Sequence, residues 1–99
     1  MPEYGFLVEL EARADKQNEV ERFLADAQAL VNDEPGTLAW FAFRIGPSSY
    51  RIFDVFETED ARQAHLHGKV REALQARGEE LFATPPVITP VDVLASKLG

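Results

Sequence analysis

Few side chains in this 99-residue sequence could move a proton. His65 and His67 are its only imidazoles, and histidine is the side chain whose ordinary pKa lies near neutrality. Two positions apart on a helix, they would point to roughly opposite sides, whereas a chelating pair needs a spacing of three or four. Cysteine is absent, so neither a disulfide framework nor a thiolate metal site is available. Neither a metal nor a flavin is expected. His65 stands beside Ala61, Ala64 and Gly68, small residues on the helix face that should approach a sheet, while His67 lies nearer Gln63 and Arg71. His65 is therefore the buried imidazole and His67 the solvated one. A half-buried histidine without a task fits the same pattern, and spacing alone favours it.

Asp54 is the second anomaly, an ionisable residue inside the apolar run Tyr50-Arg51-Ile52-Phe53-Asp54-Val55-Phe56. Burying its charge is costly unless it is paired, so it must find a partner, protonate or face water. An ion pair with a nearby arginine and a place in a cavity beside Phe56 explain it equally well. The aromatic set Phe6, Trp40, Phe41, Phe43, Tyr50, Phe53 and Phe56 has the chemistry of a pocket for a flat ligand, and equally that of an ordinary core. Glu9 and Glu11 share a strand face, and with Arg44 and Arg51 available a salt-bridge network is the better reading of them than a paired-carboxylate site. No nucleophile elbow is present, and Ser48, Ser49 and Ser96 fall in a turn or near the chain end.

The elements that must position these residues follow from periodicity. Tyr4, Phe6, Val8, Leu10 and Ala12 alternate with Leu7, Glu9 and Glu11, which predicts a strand. Asp15 is a plausible N-cap for an amphipathic helix carrying Val20, Phe23, Leu24, Ala27, Leu30 and Val31 on one stripe and ending near Asn32, ahead of Pro35 and Gly36. Runs from Thr37 to Ile45 and from Tyr50 to Glu57 flank Gly46-Pro47-Ser48-Ser49, which is hairpin-turn chemistry. Thr58 can cap a helix that begins at Glu59-Asp60 and runs through His65 and Leu74, with Gly68 and Gly78 as points of kink or break. A last strand, Val87 to Ala95, contains Pro90 and so belongs at an edge or a bulge. The order is βαββαβ, an α+β chain with two helices on a four-stranded antiparallel sheet, forming one domain over residues 1–99.

Both faces of the hairpin are apolar. If the turn sets Ile45 opposite Tyr50, one face carries Phe41, Phe43, Ile52, Asp54 and Phe56, and the other Trp40, Ala42, Phe53 and Val55; a different register would regroup them. Two helices cover only one face of such a sheet, and the other would expose more apolar surface than soluble monomers tolerate. A second copy of the chain is the natural cover, giving a homodimer through the open sheet face. The net charge of −7, from seventeen acidic and ten scattered basic residues, argues against nucleic acid as a partner. The start, Met1-Pro2-Glu3-Tyr4-Gly5, lacks the basic and apolar regions of a signal peptide, and no apolar run reaches membrane-spanning length. A cytoplasmic protein without a membrane partner is expected.

Glu34-Pro35-Gly36, then Trp40 in the next strand, Asp54-Val55-Phe56, Glu59-Asp60-Ala61 and Ala64-His65-Leu66 together give a pattern, over nearly the whole chain, that resembles the antibiotic biosynthesis monooxygenase family. There a Glu-Pro-Gly-like turn follows the first helix, an acidic-x-aromatic step ends the third strand, and a histidine follows about two helical turns later. The resemblance implies a ferredoxin-like monomer that pairs sheet to sheet into a dimeric α/β barrel, with an apolar cavity between sheet and helices. The family includes oxygenases that use no metal and no flavin on quinol or polyketide substrates, haem-degrading enzymes, isomerase-like relatives and proteins without known activity, so fold alone does not settle function. This chain has Phe56 where those oxygenases often carry tryptophan and Ile52 where some carry a cavity asparagine. Its first strand lacks the asparagine of the haem-degrading branch, which argues against haem chemistry.

The resemblance thus implies a cofactor-independent monooxygenase acting on a small electron-rich aromatic with molecular oxygen. A deprotonated phenol or quinol is itself a good electron donor to oxygen, and the protein need supply a base and a dry pocket. His65 is the expected base or orienting donor and Asp54 its polar partner. Phe56, Trp40, Phe41, Phe43, Ile52 and Phe6 are the expected walls. The alternatives are a module that binds a small aromatic without turnover and a dimeric scaffold with a collapsed pocket.

Overall fold

Along residues 4–97, which the computed structural model describes, β1 (Tyr4–Glu11), α1 (Gln17–Val31), β2 (Thr37–Arg44), β3 (Ser49–Phe56), α2 (Glu59–Leu66), α3 (Lys69–Leu81) and β4 (Val87–Asp92) follow one another. Residues 1–3, part of the stretch read against a signal peptide, lie outside the described residues. The strands form one antiparallel sheet in the order β2-β3-β1-β4. This is the expected α+β, ferredoxin-like arrangement, with the second helical stretch divided into α2 and α3. Pro90 sits in β4, at the sheet edge, where a missing N–H costs no ladder bond.

Local chemistry explains the helix boundaries. Thr58 caps α2, its hydroxyl accepting the Ala61 N–H at 3.0 Å, and Glu59 and Asp60 favour the positive end of the helix dipole. Gly68 separates α2 from α3, since a Cβ there would lie 3.2 Å from the carbonyl oxygens of both Ala64 and His65. Gly78, by contrast, lies inside α3 without interrupting it. The expected cap at Asp15 is not made. Asp15 adopts a left-handed backbone with φ 69°, and Lys16 holds the N-cap position without a side-chain bond. A capping side chain must start from extended backbone, and Asp15 instead serves the turn.

The hairpin register also corrects the expectation. The Ile45 N–H donates to the Ser49 carbonyl at 2.9 Å, and Arg44 stands opposite Tyr50. The turn is thus one residue shorter than expected, and every partner shifts by one. Trp40 and Ala42 now share a face with Ile52, Asp54 and Phe56, and with Phe6, Val8 and Leu10 across β1. That face packs under the helices: the core joins these residues to Val20, Phe23, Leu24 and Ala27 of α1 and to Val70, Leu74 and Leu81 of α3. Phe41 and Phe43 stand on the opposite, open face, 55% and 43% exposed, with Leu38, Ile45 and Val87 also exposed. On that open face Arg51 bridges Glu9 at 3.6 Å and Glu11 at 3.1 Å, as the salt-bridge reading expected, while Arg44 instead reaches Glu21 of α1 at 3.1 Å.

Candidate functional site

The shifted register decides what meets His65. Trp40 of β2 and Phe6 of β1 both stand opposite Asp54 of β3, and all three side chains point toward the helices. The Thr58 cap starts α2 so that His65 comes down over the carboxylate. The His65 Nε2 lies 3.1 Å from Asp54 Oδ2, and its Nδ1 lies 2.6 Å from Glu34 Oε1. The contact to Asp54 is close but off the hydrogen-bond line, which leaves both Asp54 oxygens buried without a hydrogen bond. Asp54 is 1% exposed. Phe56, fully buried, lies against the imidazole with ring centroids 4.9 Å apart, and packs edge-on to Phe6 at 5.8 Å.

An imidazole flanked by two carboxylates can offer a proton to each only when both nitrogens carry one. Burial disfavours the charged ring, but the close approach of Asp54 and the hydrogen bond to Glu34, together with the charges of both carboxylates, outweigh it and raise the His65 pKa above its ordinary value. Glu34 is itself fixed by the Thr37 hydroxyl, which donates to the same Oε1 at 2.8 Å. The Glu34-Pro35-Gly36 turn reaches His65 because it packs tightly on α2: a Cβ on Gly36 would come within 2.5 Å of the Ala61 Cβ.

Two spaces flank His65. On the Asp54 side an inner cavity of about 20 Å³ is lined by Phe6, Trp40, Ile52, Asp54, His65 and Leu66, with Arg71, Leu74 and Ile88 at one end. That is room for about one water molecule. The same Arg71, Leu74 and Ile88 also line an outer cleft of about 540 Å³ between α3 and the segment leading into β4, walled by Phe82, Pro85 and Pro86 with Arg13 and Glu79. On the far side of His65, Glu34 and His65 line a separate surface cleft with Thr37, Ala61 and Lys69.

Of the expected site residues, the structure brings together His65, Asp54, Trp40, Ile52 and Phe6 around the inner cavity. Phe56 touches His65 from outside that cavity. Phe41 and Phe43 are not brought to it, because the one-residue register shift turns them to the open face. Sequence reasoning noted Glu34 only as part of a turn, and missed its carboxylate as a partner of His65. The available signal was an acidic residue in a turn expected to run beside the histidine-bearing helix, with a hydroxyl three residues later. The Trp40 indole N–H is also buried without a partner. Among the described residues, no group of three or more His, Cys, Asp or Glu side chains is placed to hold a metal ion.

Comparison with known proteins agrees with this architecture. The family model described as antibiotic biosynthesis monooxygenase matches residues 4–77. A protein of unknown function from Nitrosomonas europaea is 43% identical, with a TM-score of 0.96 over 100% of this chain and 96% of that one. Two further solved structures share the fold at lower identity. One, from Mycobacterium tuberculosis, is 15% identical with a TM-score of 0.83 over 95% of this chain and 97% of its own. The other, a candidate antibiotic biosynthesis monooxygenase from Caulobacter crescentus, is 24% identical with a TM-score of 0.80 over 95% of this chain and 92% of its own. No curated protein matches the sequence.

Proposed function

Because the chain belongs to the antibiotic biosynthesis monooxygenase family, we propose that it is a monooxygenase that needs neither metal nor flavin and oxidises a small electron-rich aromatic, a quinol or a polyketide-like phenol. The observation that carries this reading is the buried Asp54–His65 pair lining an apolar cavity that shares Arg71, Leu74 and Ile88 with a larger cleft. The substrate ring occupies the outer cleft, whose volume suits a small ligand, and its hydroxyl reaches past Leu74 and Ile88 to the pair. The hydroxyl gives up its proton there, and the resulting aryloxide passes one electron to molecular oxygen. Recombination at a ring carbon forms a hydroperoxide. Loss of water then leaves a carbonyl, so one oxygen atom stays on the product and the other departs as water. The protein contributes proton transfer, orientation and exclusion of bulk water. In this reading the chain is one cytoplasmic domain that works as a homodimer through its open sheet face, where Phe41 and Phe43 lie.

A second reading, binding of a small aromatic without turnover, is favoured by the size of the inner cavity, which admits a hydroxyl but not a ring. Oxygen uptake with a panel of quinols, without added metal or flavin, separates the two. Uptake well above spontaneous autoxidation is expected. His65→Ala should lower it by roughly two to four orders of magnitude, and His67→Ala, whose side chain is exposed, should leave it unchanged. Saturable quinol binding with no uptake above autoxidation would replace catalysis by the binding reading.

A further inference from the structure

We propose that Glu34 is a positioning residue that holds His65 as an imidazolium, so that the proton acceptor in the cavity is Asp54 and His65 is the proton donor beside it. This inference rests on the catalytic reading of the Asp54–His65 pair and assigns the two partners their roles. It starts from the geometry of one ring between two carboxylates, at 2.6 Å on the Glu34 side and 3.1 Å on the Asp54 side. A neutral imidazole would turn a lone pair toward one of those oxygens, while the cation meets both with a proton.

The two carboxylates are not equivalent. Glu34 forms the shorter contact and is bonded by the Thr37 hydroxyl. It faces the surface cleft and does not line the inner cavity. Asp54 is buried, lines the inner cavity, and retains oxygens without hydrogen bonds. A buried acceptor with unused capacity beside a substrate space is suited to take a hydroxyl proton, provided a cation stabilises it. His65 is that cation, and Glu34 is its counter-ion from the side away from the substrate. The other charged groups facing the ring's surroundings are Asp33 and Lys69 in the surface cleft and Arg71 at the end of the inner cavity. The upward displacement of the His65 pKa agrees with this assignment.

The arrangement also gives the Glu34-Pro35-Gly36 turn a purpose beyond ending α1. Pro35 and Gly36 bring the backbone against Ala61, one turn before His65 on the same helix, and so set the carboxylate at the ring.

Nitrogen-15 NMR titration of the two imidazoles, alongside pH–rate profiles, tests the proposal on the full chain. Glu34→Gln keeps the size and an acceptor oxygen but removes the charge. Its His65 midpoint should fall to a lower pH while that of His67 stays put. In any quinol oxidation, kcat should drop about ten- to a hundredfold, the worth of a charge-assisted hydrogen bond, with KM little changed because Glu34 does not line the cavity. Glu34→Asp, which keeps the charge but draws it back from the ring, should move the midpoint in the same direction by less, and stands in if Glu34→Gln does not fold. A His65 midpoint identical in wild type and both variants overturns the proposal. The titration needs no turnover, so an inactive wild type would remove the oxygenase reading while Glu34's hold on His65 is still decided by NMR.

Discussion

His65 gives the molecule a stability that depends on pH in a direction fixed by its neighbours. Its folded pKa is raised, so below its unfolded value of about 6.5 the ring is protonated in both states and the carboxylate contacts contribute in full. As pH rises through the folded pKa, that contribution is lost. The difference in Tm between wild type and His65→Gln should therefore be widest below about pH 6.5 and narrow as pH rises above it. His67→Gln, at an exposed position, should run parallel to wild type throughout. Parallel curves for His65→Gln as well would mean that the ring is not held as a cation. At this scale the sequence was informative about residue types. His65 and Asp54 stood out because one is a histidine among small residues and the other a charge inside an apolar run. Glu34 did not, because its role comes from an approach between distant parts of the chain that leaves no local spacing to read.

Between elements, the tightest constraint is the contact of the Glu34-Pro35-Gly36 turn with α2. Gly36→Ala would press a methyl group against the Ala61 Cβ, 2.5 Å away, and should cost about 1–3 kcal/mol, the usual range for overpacking. Ala61→Gly alone should cost about 1 kcal/mol through helix propensity. The double variant should be more stable than the sum of the two predicts, since removing one methyl makes room for the other, and chemical denaturation of all four proteins measures that coupling. Strict additivity would mean that the turn does not press on α2 at Ala61. Strand and helix order and the Thr58 cap were legible, because alternation and helical stripes act locally, whereas Gly68 and Gly78 looked alike as breaks and only Gly68 is one, and the cap expected at Asp15 is not made. The hairpin register was not legible, since the same turn residues accommodate a loop of three or four, and the bond from Ile45 to Ser49 settles which.

For the whole molecule, the proposed homodimer makes the open sheet face its test. Phe41, Phe43, Ile45 and Val87 are exposed there in a single copy. Light scattering at micromolar concentration should show a homodimer, with an interface of about 1,600 Å² or more in total, and Phe41→Asp or Phe43→Asp should shift it to monomer. A monomeric wild type would refute the pairing. Trp40→Asp tests something else, because Trp40 lies beneath the helices and its loss should unfold the chain or ruin the cavity. The hairpin interleaves these two duties residue by residue: Trp40 and Ala42 serve the cavity face, Phe41 and Phe43 the open one. If the proposed ligand and dimer hold, point substitutions would retune ligand choice and self-association separately, as two dials on one strand. Gaining or losing a single residue in the Gly46-Pro47-Ser48 turn would exchange the roles of both sets together. Descendants of this chain can diversify by substitution on either face, but the length of that turn is closed to them.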